Sequence, residues 1–484
     1  MFLVLFQTLL ATSAAHAASV SSTPAQTFHA IGGSGAWWPT DIYNFPESVR
    51  QNLSDLLFSP SGMQLSSYRW NVGAGGVNVS NPVRAIETFY VSDGQYDWSK
   101  DASGIYFLKA AAERDVPYLT MFANSAPAPM TADKTSCASH FVDGSGAQFG
   151  EFLADVAQHW IDEGIPLNYV SPINEPDSDF GPSPCGQEGM LVQPYQRSEV
   201  VSTLYAALEN HGLEQTVGIL ADESSSLSRA SSEYADWLPD VVDKVAALVH
   251  HTYDFPSDAS YVSYVNTTKN TYGKATWMSE VCCSMGSADG TGRGWSGGYD
   301  PTIVGGLMWV GMAFQSFNVA NEAHYDFWTL VSNGLGCDPL NNPSCATTTN
   351  TNGWNDGVIF YDDDYASNGN YELYLTKHFW TYKHLGNFVR PGSVRLPIDG
   401  LSTASNMAVR SQDGSTYYIL AMNTNQSGAT TVSLTFPDNV EATSAFRTSE
   451  TEDFSEVALA TESNGAWSMN LPALSLTTFV FKKT

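Results

Sequence analysis

Two stretches of the chain carry residue types suited to acid–base and nucleophilic chemistry. Tyr169-Val-Ser-Pro-Ile-Asn-Glu-Pro-Asp177 reads as a short buried strand stopped by Pro176, with Asn174 and Glu175 at its end. About a hundred residues later, Ala275-Thr-Trp-Met-Ser-Glu-Val281 repeats the pattern and delivers Glu280. A carboxylate at the carboxyl end of a strand, next to a side-chain amide, is how a parallel barrel presents an acid to a ligand. Two such glutamates supply the proton donor and the nucleophile that cleave a glycosidic bond. A chain with 50 acidic residues places some at strand ends by chance, so the weight rests on the pair and its order.

The elements that must position this pair alternate between strand and helix. Expected strands run over Thr27–Ile31, Met63–Asn71, Pro117–Phe122, Asn168–Ile173, Val217–Ala221, Ala247–Tyr253, Thr276–Val281 and Glu322–Trp328. Between and after them, helices are expected over Glu47–Leu57, Gly104–Glu113, Gln148–Asp162, Arg197–Asn210, Tyr234–Val245, Tyr261–Tyr272, Val304–Phe317 and Tyr371–His384. Eight strand–helix units are the signature of a (β/α)8 barrel, an α/β fold. After Arg390-Pro391-Gly392 the texture changes to short Thr-, Val- and Ser-rich runs: Thr416–Met422, Thr430–Phe436, Ala442–Thr448, Val457–Leu459 and Leu474–Phe481. These read as a small C-terminal antiparallel β-sandwich, which the N-terminal stretch Val20–Phe28 joins with a strand. The expected divisions are a leader over 1–17, an N-terminal strand of the β-domain over 18–30, a barrel over 31–388 and a sandwich over 389–484.

In a barrel all eight strand ends meet on one face, so residues remote in sequence share one site. Glu280 would attack the anomeric carbon while Glu175 protonates the leaving oxygen and then activates water. Arg69, near the end of the second strand, would hold Glu280 ionised. A locally paired surface arginine is the equally weighted alternative. Asn174 would hold a substrate hydroxyl, Tyr253 would bond the nucleophile, and His251 would line the floor, whereas His250 reads as a satisfied core residue. Trp328 and Tyr325 on the last strand offer a platform for a sugar ring, although core packing is the default for large aromatics. Trp37 and Asn124, in the segments after the first and third strands, complete the candidate substrate contacts. Asp177, Glu188, Asp222, Glu223 and Glu322 are competing acids ranked below the pair.

Composition bounds the rest. Lys and Arg number 21 against 50 Asp and Glu, a formal charge of −29, which repels phosphate backbones and excludes nucleic acid as a partner. A neutral polymer suffers no such repulsion. Met1–Ala17 joins an apolar core to an Ala15-His-Ala17 cleavage pattern and reads as a secretory signal. No other run reads as apolar enough to span a bilayer. Sequons at Asn52, Asn78, Asn266 and Asn425 fit an extracellular glycoprotein. Six cysteines in a secreted chain point to disulfides. Cys337–Cys345 and Cys137–Cys185 are the expected pairs, while adjacent Cys282 and Cys283 form either a vicinal bridge or two buried thiols. No His cluster at metal spacing accompanies them, so neither a metal nor another cofactor is expected. A monomer acting on carbohydrate, outside the cell and away from membranes, is the overall expectation.

These residues resemble the clan A retaining glycoside hydrolases, in which an Asn-Glu pair ends the fourth barrel strand and a Glu ends the seventh. Asn174-Glu175-Pro176 and Glu280 match that order. The chain is most similar to glycoside hydrolase family 30, whose barrel carries a side β-sandwich built from both chain ends. His251-Thr-Tyr253, Arg69, Trp328 and Asn387-Phe-Val-Arg-Pro-Gly392 each match a feature of that family. Gly32-Gly-Ser-Gly-Ala-Trp-Trp38 resembles its fungal endo-β-1,6-galactanase-like branch. One departure stands out. The loop Asn124-Ser-Ala-Pro-Ala-Pro-Met130 lacks the aromatic residue that family members often carry after the third strand. The resemblance therefore implies a retaining β-glycosidase of cell-wall glycans, with β-1,6-galactan first and β-1,6-glucan, xylan or an exo action as alternatives. A non-catalytic carbohydrate-binding barrel is the rival from another class, and a metal hydrolase on the same barrel is the weakest reading.

Overall fold

The computed structural model describes residues 18–484, and the expected leader lies outside the described residues. Eight strands form one parallel sheet: β1 (Ala30–Gly33), β2 (Ser67–Val72), β3 (Tyr118–Ala123), β4 (Leu167–Ser171), β5 (Gly218–Ser224), β6 (Val245–His251), β7 (Ala275–Glu280) and β8 (His324–Phe327). Their spatial order follows the chain from β2 round to β8, with β1 paired to β8. A parallel bridge between Ser34 and Arg69 closes the ring, helped by the Gly35 amide donating to the Arg69 carbonyl at 2.8 Å. The strands are near-continuous buried runs because side chains fill the barrel on one face and helices cover the other.

The covering helices are α1 (Glu47–Phe58), α2 (Ala102–Glu113), α3 (Gly146–Asp162), α4 (Pro194–His211), α5 (Leu227–Trp237), α6 (Asp258–Tyr272), α7 (Ile303–Gln315) and α8 (Lys377–Phe388). In α3, Phe149, Phe152, Leu153, Val156 and Trp160 recur at helical spacing and are buried, which fixes its rotation on the barrel. Ser226, Ser257, Thr302 and Thr376 cap α5 to α8 by accepting hydrogen bonds from first-turn amides.

The structure corrects several expected boundaries. The fifth helix lies at Leu227–Trp237, because Pro239 turns the chain into short 3-10 segments and Val245 already belongs to β6. The eighth begins at Lys377, since Leu373–Leu375 is a strand paired with Ile359–Tyr361. Helix α7 continues through a π turn, and Ile303–Ala320 is long and apolar enough to cross a membrane, contrary to the expectation that no run qualifies. It is 72% buried inside the protein, as a barrel helix packed between two apolar neighbours must be.

The chain ends build two further sheets, of seven and five strands, beside the barrel. The N-terminal segment enters both: Gln26–Thr27 pairs with Val394–Arg395, and Ala18–Val20 inserts between Ile398–Asp399 and Thr430–Thr435. Its pairing with Thr430–Thr435 is parallel, so the sandwich is not purely antiparallel. Strands at Val394–Leu396, Asn406–Arg410 and Ala466–Leu471 were not anticipated, and Val457–Leu459 is irregular. Between barrel and sandwich, His384 of α8 is buried and shares hydrogen bonds with Thr478 (2.7 Å) and Thr448 (3.1 Å).

One close approach on α8 discriminates between two opposing effects. Alanine at Gly386 would gain about 1 kcal/mol of helix propensity. Its Cβ, however, would stand 2.1 Å from the Met63 carbonyl oxygen, a backbone atom that cannot rotate away. Overpacking of this kind costs about 1–3 kcal/mol, so contact outweighs propensity. Gly386→Ala is expected to lower the midpoint of urea unfolding; a raised midpoint would show that the helix simply shifts.

Candidate active site

The barrel interior is layered. At its N-terminal end His29 lies flat between Tyr118 (3.9 Å between ring centroids) and Trp277 (4.3 Å), and His324 stacks on Trp277 at 4.7 Å. Burial pushes His29 down to about 2, with the neighbouring His324 adding to the effect, so the His29 ring is neutral. Above it comes a charged layer, and above that an open cavity of about 500 Å³ at the C-terminal rim.

Arg69 projects from β2 into the charged layer, buried, with its guanidinium 3.8 Å above the Phe122 ring. Its Nη1 donates to Glu280 Oε2 at 2.7 Å and its Nη2 to Asn174 Oδ1 at 2.7 Å, with Glu223 Oε1 3.3 Å from Nη2. The reading of Arg69 as a local surface pair is thereby set aside. Tyr253 donates to the other Glu280 oxygen at 2.9 Å. His251 bridges Glu175 Oε1 (3.0 Å, from Nδ1) and Glu223 Oε2 (3.1 Å, from Nε2), and Ser279 donates a short hydrogen bond to Glu223. One oxygen from each of Glu175 and Glu280 and one nitrogen of His251 lie within 4.8 Å of one another.

Protonation follows from these contacts. Burial lowers the affinity of His251 for a proton, but Glu280, Glu175 and Glu223 overcome it and push the ring up to about 10. His251 is then an imidazolium, with both nitrogens donating. Burial raises the Glu223 carboxyl, yet the Arg69 charge and the His251 bond hold it far below the usual carboxylate range. Glu175 goes the other way. Burial lifts it above the usual value, the Glu280 charge adds to that, and the His251 bond and charge offset only part. Burial thus favours the protonated form of Glu175, and the Arg69 charge the ionised form of Glu223.

Asn124, Trp37 and Trp328 line the cavity with Glu175 and Glu280. Trp37 meets Trp328 edge to face at 4.7 Å and carries the Arg84 guanidinium 4.0 Å from its ring centre. Asn124 is buried and donates to Asn71 Oδ1 at 3.2 Å. Tyr325 is the correction: it is buried outside the cavity lining, edge-on to Phe317 at 5.9 Å in the helix layer, and is no sugar platform. Its neighbours His324 and Asp326 take the opposite side of the strand, as the two-residue alternation of a strand requires.

The competing acids are accounted for structurally. Asp222 pairs with Arg197 at 2.6 Å, Glu322 bonds His250 at 2.5 Å, and Asp177 accepts from the Ser225 amide at 3.0 Å. Glu188 accepts from the Ala74 and Gly76 amides, and burial pushes its carboxyl up to about 8. Glu223 is the residue whose part the sequence underrated. It sits at the end of β5 beneath the pair, and its place at a strand terminus was the available signal. By distance, Glu175, His251 and Glu280 are close enough to hold a metal ion, as is the partly exposed group Glu151, Asp155 and His211. In the first group Arg69 already neutralises Glu280 and the His251 nitrogens donate protons, so the set does not fit a cation.

All three cysteine pairs are disulfides: Cys137–Cys185 and Cys337–Cys345 as expected, and Cys282–Cys283 as the vicinal bridge.

A closed parallel barrel with two carboxyls facing each other at its C-terminal mouth defines an O-glycosyl hydrolase. Residues 17–334 match the model of O-Glycosyl hydrolase family 30, and the chain belongs to that family. Its fold is similar to that of a conserved exported protein from Bacteroides fragilis (TM-score 0.78, 23% identity, covering 96% of this chain and 100% of that one). It is likewise similar to the catalytic domain of the family 30 xylanase C from Talaromyces cellulolyticus (TM-score 0.71, 20% identity, 97% and 100% covered). An endo-β-1,6-glucanase shares the fold as well (TM-score 0.69, 15% identity, 96% and 95% covered).

Removing the buried cation isolates its share of stability. Arg69→Met leaves Glu223 and Glu280 buried beside an apolar group, and such losses cost about 3–5 kcal/mol. Denaturant unfolding of Arg69→Met, Glu280→Gln and the double variant checks this. The double variant is expected to recover part of the loss, because one orphaned carboxylate is then neutral.

Proposed function

We propose that the protein is a secreted, retaining β-glycosidase that cleaves a neutral cell-wall glycan by double displacement. Glu280 is the nucleophile and Glu175 the acid/base. The observation that carries this reading is the closeness of the two carboxyls, with facing oxygens inside 4.8 Å. Retaining pairs stand about 5–5.5 Å apart and inverting pairs about 6.5–9.5 Å, with a water between them. A nearest-oxygen gap inside 4.8 Å favours the shorter, retaining spacing.

The chemistry follows from the charges. Arg69 and Tyr253 donate to both Glu280 oxygens, which holds the carboxylate in place at the cavity. Glu175, protonated by virtue of its burial, gives its proton to the leaving oxygen as Glu280 bonds to the anomeric carbon. In the second half-reaction the ionised Glu175 takes a proton from water, which displaces Glu280 with a second inversion. Asn174, tied to Arg69, presents its amide N–H to the sugar hydroxyl beside the reacting carbon.

We infer a β-1,6-galactan as first substrate, on the likeness of Gly32–Trp38 to galactanase-like relatives, with β-1,6-glucan and xylan next. The reading of a secreted glycoprotein, its leader at 1–17 removed, is supported by three disulfides and by four sequon asparagines that are all exposed. One chain holds the whole carboxyl pair, so a monomer suffices.

Chemical rescue tests the roles. With an aryl glycoside bearing an activated leaving group, azide is expected to restore Glu280→Gly and Glu175→Ala, giving glycosyl azides of opposite anomeric configuration. Glu175→Ala should lose about 10²–10⁴-fold on the natural glycan. Unchanged activity in either variant refutes the assignment. The pH profile of kcat/KM provides a second check. Glu175 must be protonated to start the reaction, and its raised pKa keeps the proton to higher pH, so activity falls as pH rises through that value. Glu175→Ala, assayed on the activated substrate, is expected to lose this basic limb; a limb that persists belongs to another group.

A further inference from the structure

The loop after β3 lacks an aromatic wall, yet two large aromatic faces remain open at the cavity mouth. Trp295 is 59% exposed and Trp354 is 43% exposed, both line the cavity, and their ring centres are 6.0 Å apart. Trp295 meets Tyr253 edge to face at 5.4 Å, and Tyr253 donates to Glu280. The pair therefore stands about one ring away from the reacting centre. Leaving two indoles in water gives up the stabilisation of burying them, and wide aromatic faces beside a sugar-cleaving site suit the C–H face of a pyranose.

Both tryptophans hang on the turn that follows Glu280. The disulfide Cys282–Cys283 forms this turn, with Cys283 in the left-handed region at φ 61°. Ser284 bridges to Trp295 in antiparallel fashion, and the Ser296 amide donates to the Cys283 carbonyl at 3.0 Å. On the other side the Cys283 amide donates to the Asn355 carbonyl, and the buried Asn355 side chain donates to the Ser284 carbonyl at 3.0 Å. The disulfide itself faces the cavity and packs with Phe122 and Trp328 in an apolar cluster.

We propose that Trp295 and Trp354 form a second sugar subsite adjoining the reactive one, which takes an uncharged β-linked pyranose unit of the same chain. The Cys282–Cys283 turn positions it. This rests on the glycosidase reading above and names the part of the glycan that the site selects.

The test compares an aryl monoglycoside with tri- and tetrasaccharides of whichever polymer, β-1,6-galactan, β-1,6-glucan or xylan, the wild type degrades. Trp295→Ala and Trp354→Ala should raise KM for the oligosaccharides about tenfold more than for the monoglycoside, with the effect in KM rather than kcat. Trp295→Phe should recover part of it, and Cys282→Ser/Cys283→Ser should shift KM in the same direction. Equal penalties on long and short substrates, or none, overturn the subsite. If the wild type degrades none of these glycans, the glycosidase reading fails separately. The subsite is then judged by quenching of tryptophan fluorescence with the same oligosaccharides. Weaker quenching in both alanine variants supports it, and wild-type-like binding overturns it.

Discussion

The whole site depends on one buried cation. Arg69 stands where water cannot reach it and touches Glu280, Glu223 and Asn174 at once. An unpaired guanidinium there would be prohibitively costly, and so would two unpaired carboxylates; together they are tolerable. Burial alone would make Arg69 easier to deprotonate, but Glu223 and Glu280 reverse this and hold it more firmly charged than a free arginine. The same logic extends through His251, which becomes a second fixed cation only because three carboxyls surround it. In this layer burial favours the protonated form of Glu175, while the Arg69 charge and the His251 bond favour the ionised form of Glu223.

Placing that cation is the task of the barrel. Arg69 lies on β2, Glu223 on β5, His251 on β6 and Glu280 on β7, with Glu175 just past β4. Parallel pairing with shared register brings them to one height, and a register shift between β6 and β7 sets His251 opposite Glu280. The stacked His29, Trp277 and His324 fill the interior below the charges. The sandwich adds no residue to this layer. It ties the two chain ends to the barrel by the N-terminal strands and the His384 contacts.

Much of this was legible in the sequence, because strand ends in a parallel barrel are marked twice. Glu175 and Glu280 each end an apolar run, Glu175 before Pro176, and both eight-fold alternation and family resemblance point to the same pair. What escaped was whatever depends on which side of a strand a residue faces. Tyr325 has the same type and neighbourhood as a platform residue, but it alternates with His324 and Asp326 and so faces the helices. Glu223 looked like one acid of an Asp222-Glu223 doublet. Only the fold sends Asp222 to Arg197 and Glu223 to Arg69. Trp295 and Trp354 sit in long polar loops with no periodicity, so no sequence pattern could announce that they meet.

Several residues at this rim adopt left-handed backbone, as do others elsewhere in the chain. Trp37, Glu175, Glu223 and Cys283 all adopt positive φ, at 71°, 45°, 59° and 61°, where a side chain is disfavoured by about 1–3 kcal/mol. None is glycine, so each of these positions keeps a side chain despite the cost. Three of them line the cavity, and the fourth, Glu223, braces Arg69 and His251 beneath it. Conformations of this kind persist only where surrounding contacts over-determine them. The contacts are present: the Glu175 amide donates to the Glu223 carbonyl at 3.0 Å, joining two of the four directly, and the Cys283 turn is held from both sides. The surrounding contacts hold Trp37, Glu175, Glu223 and Cys283 in these strained positions. Relaxing any one of them would turn a side chain away from the cavity.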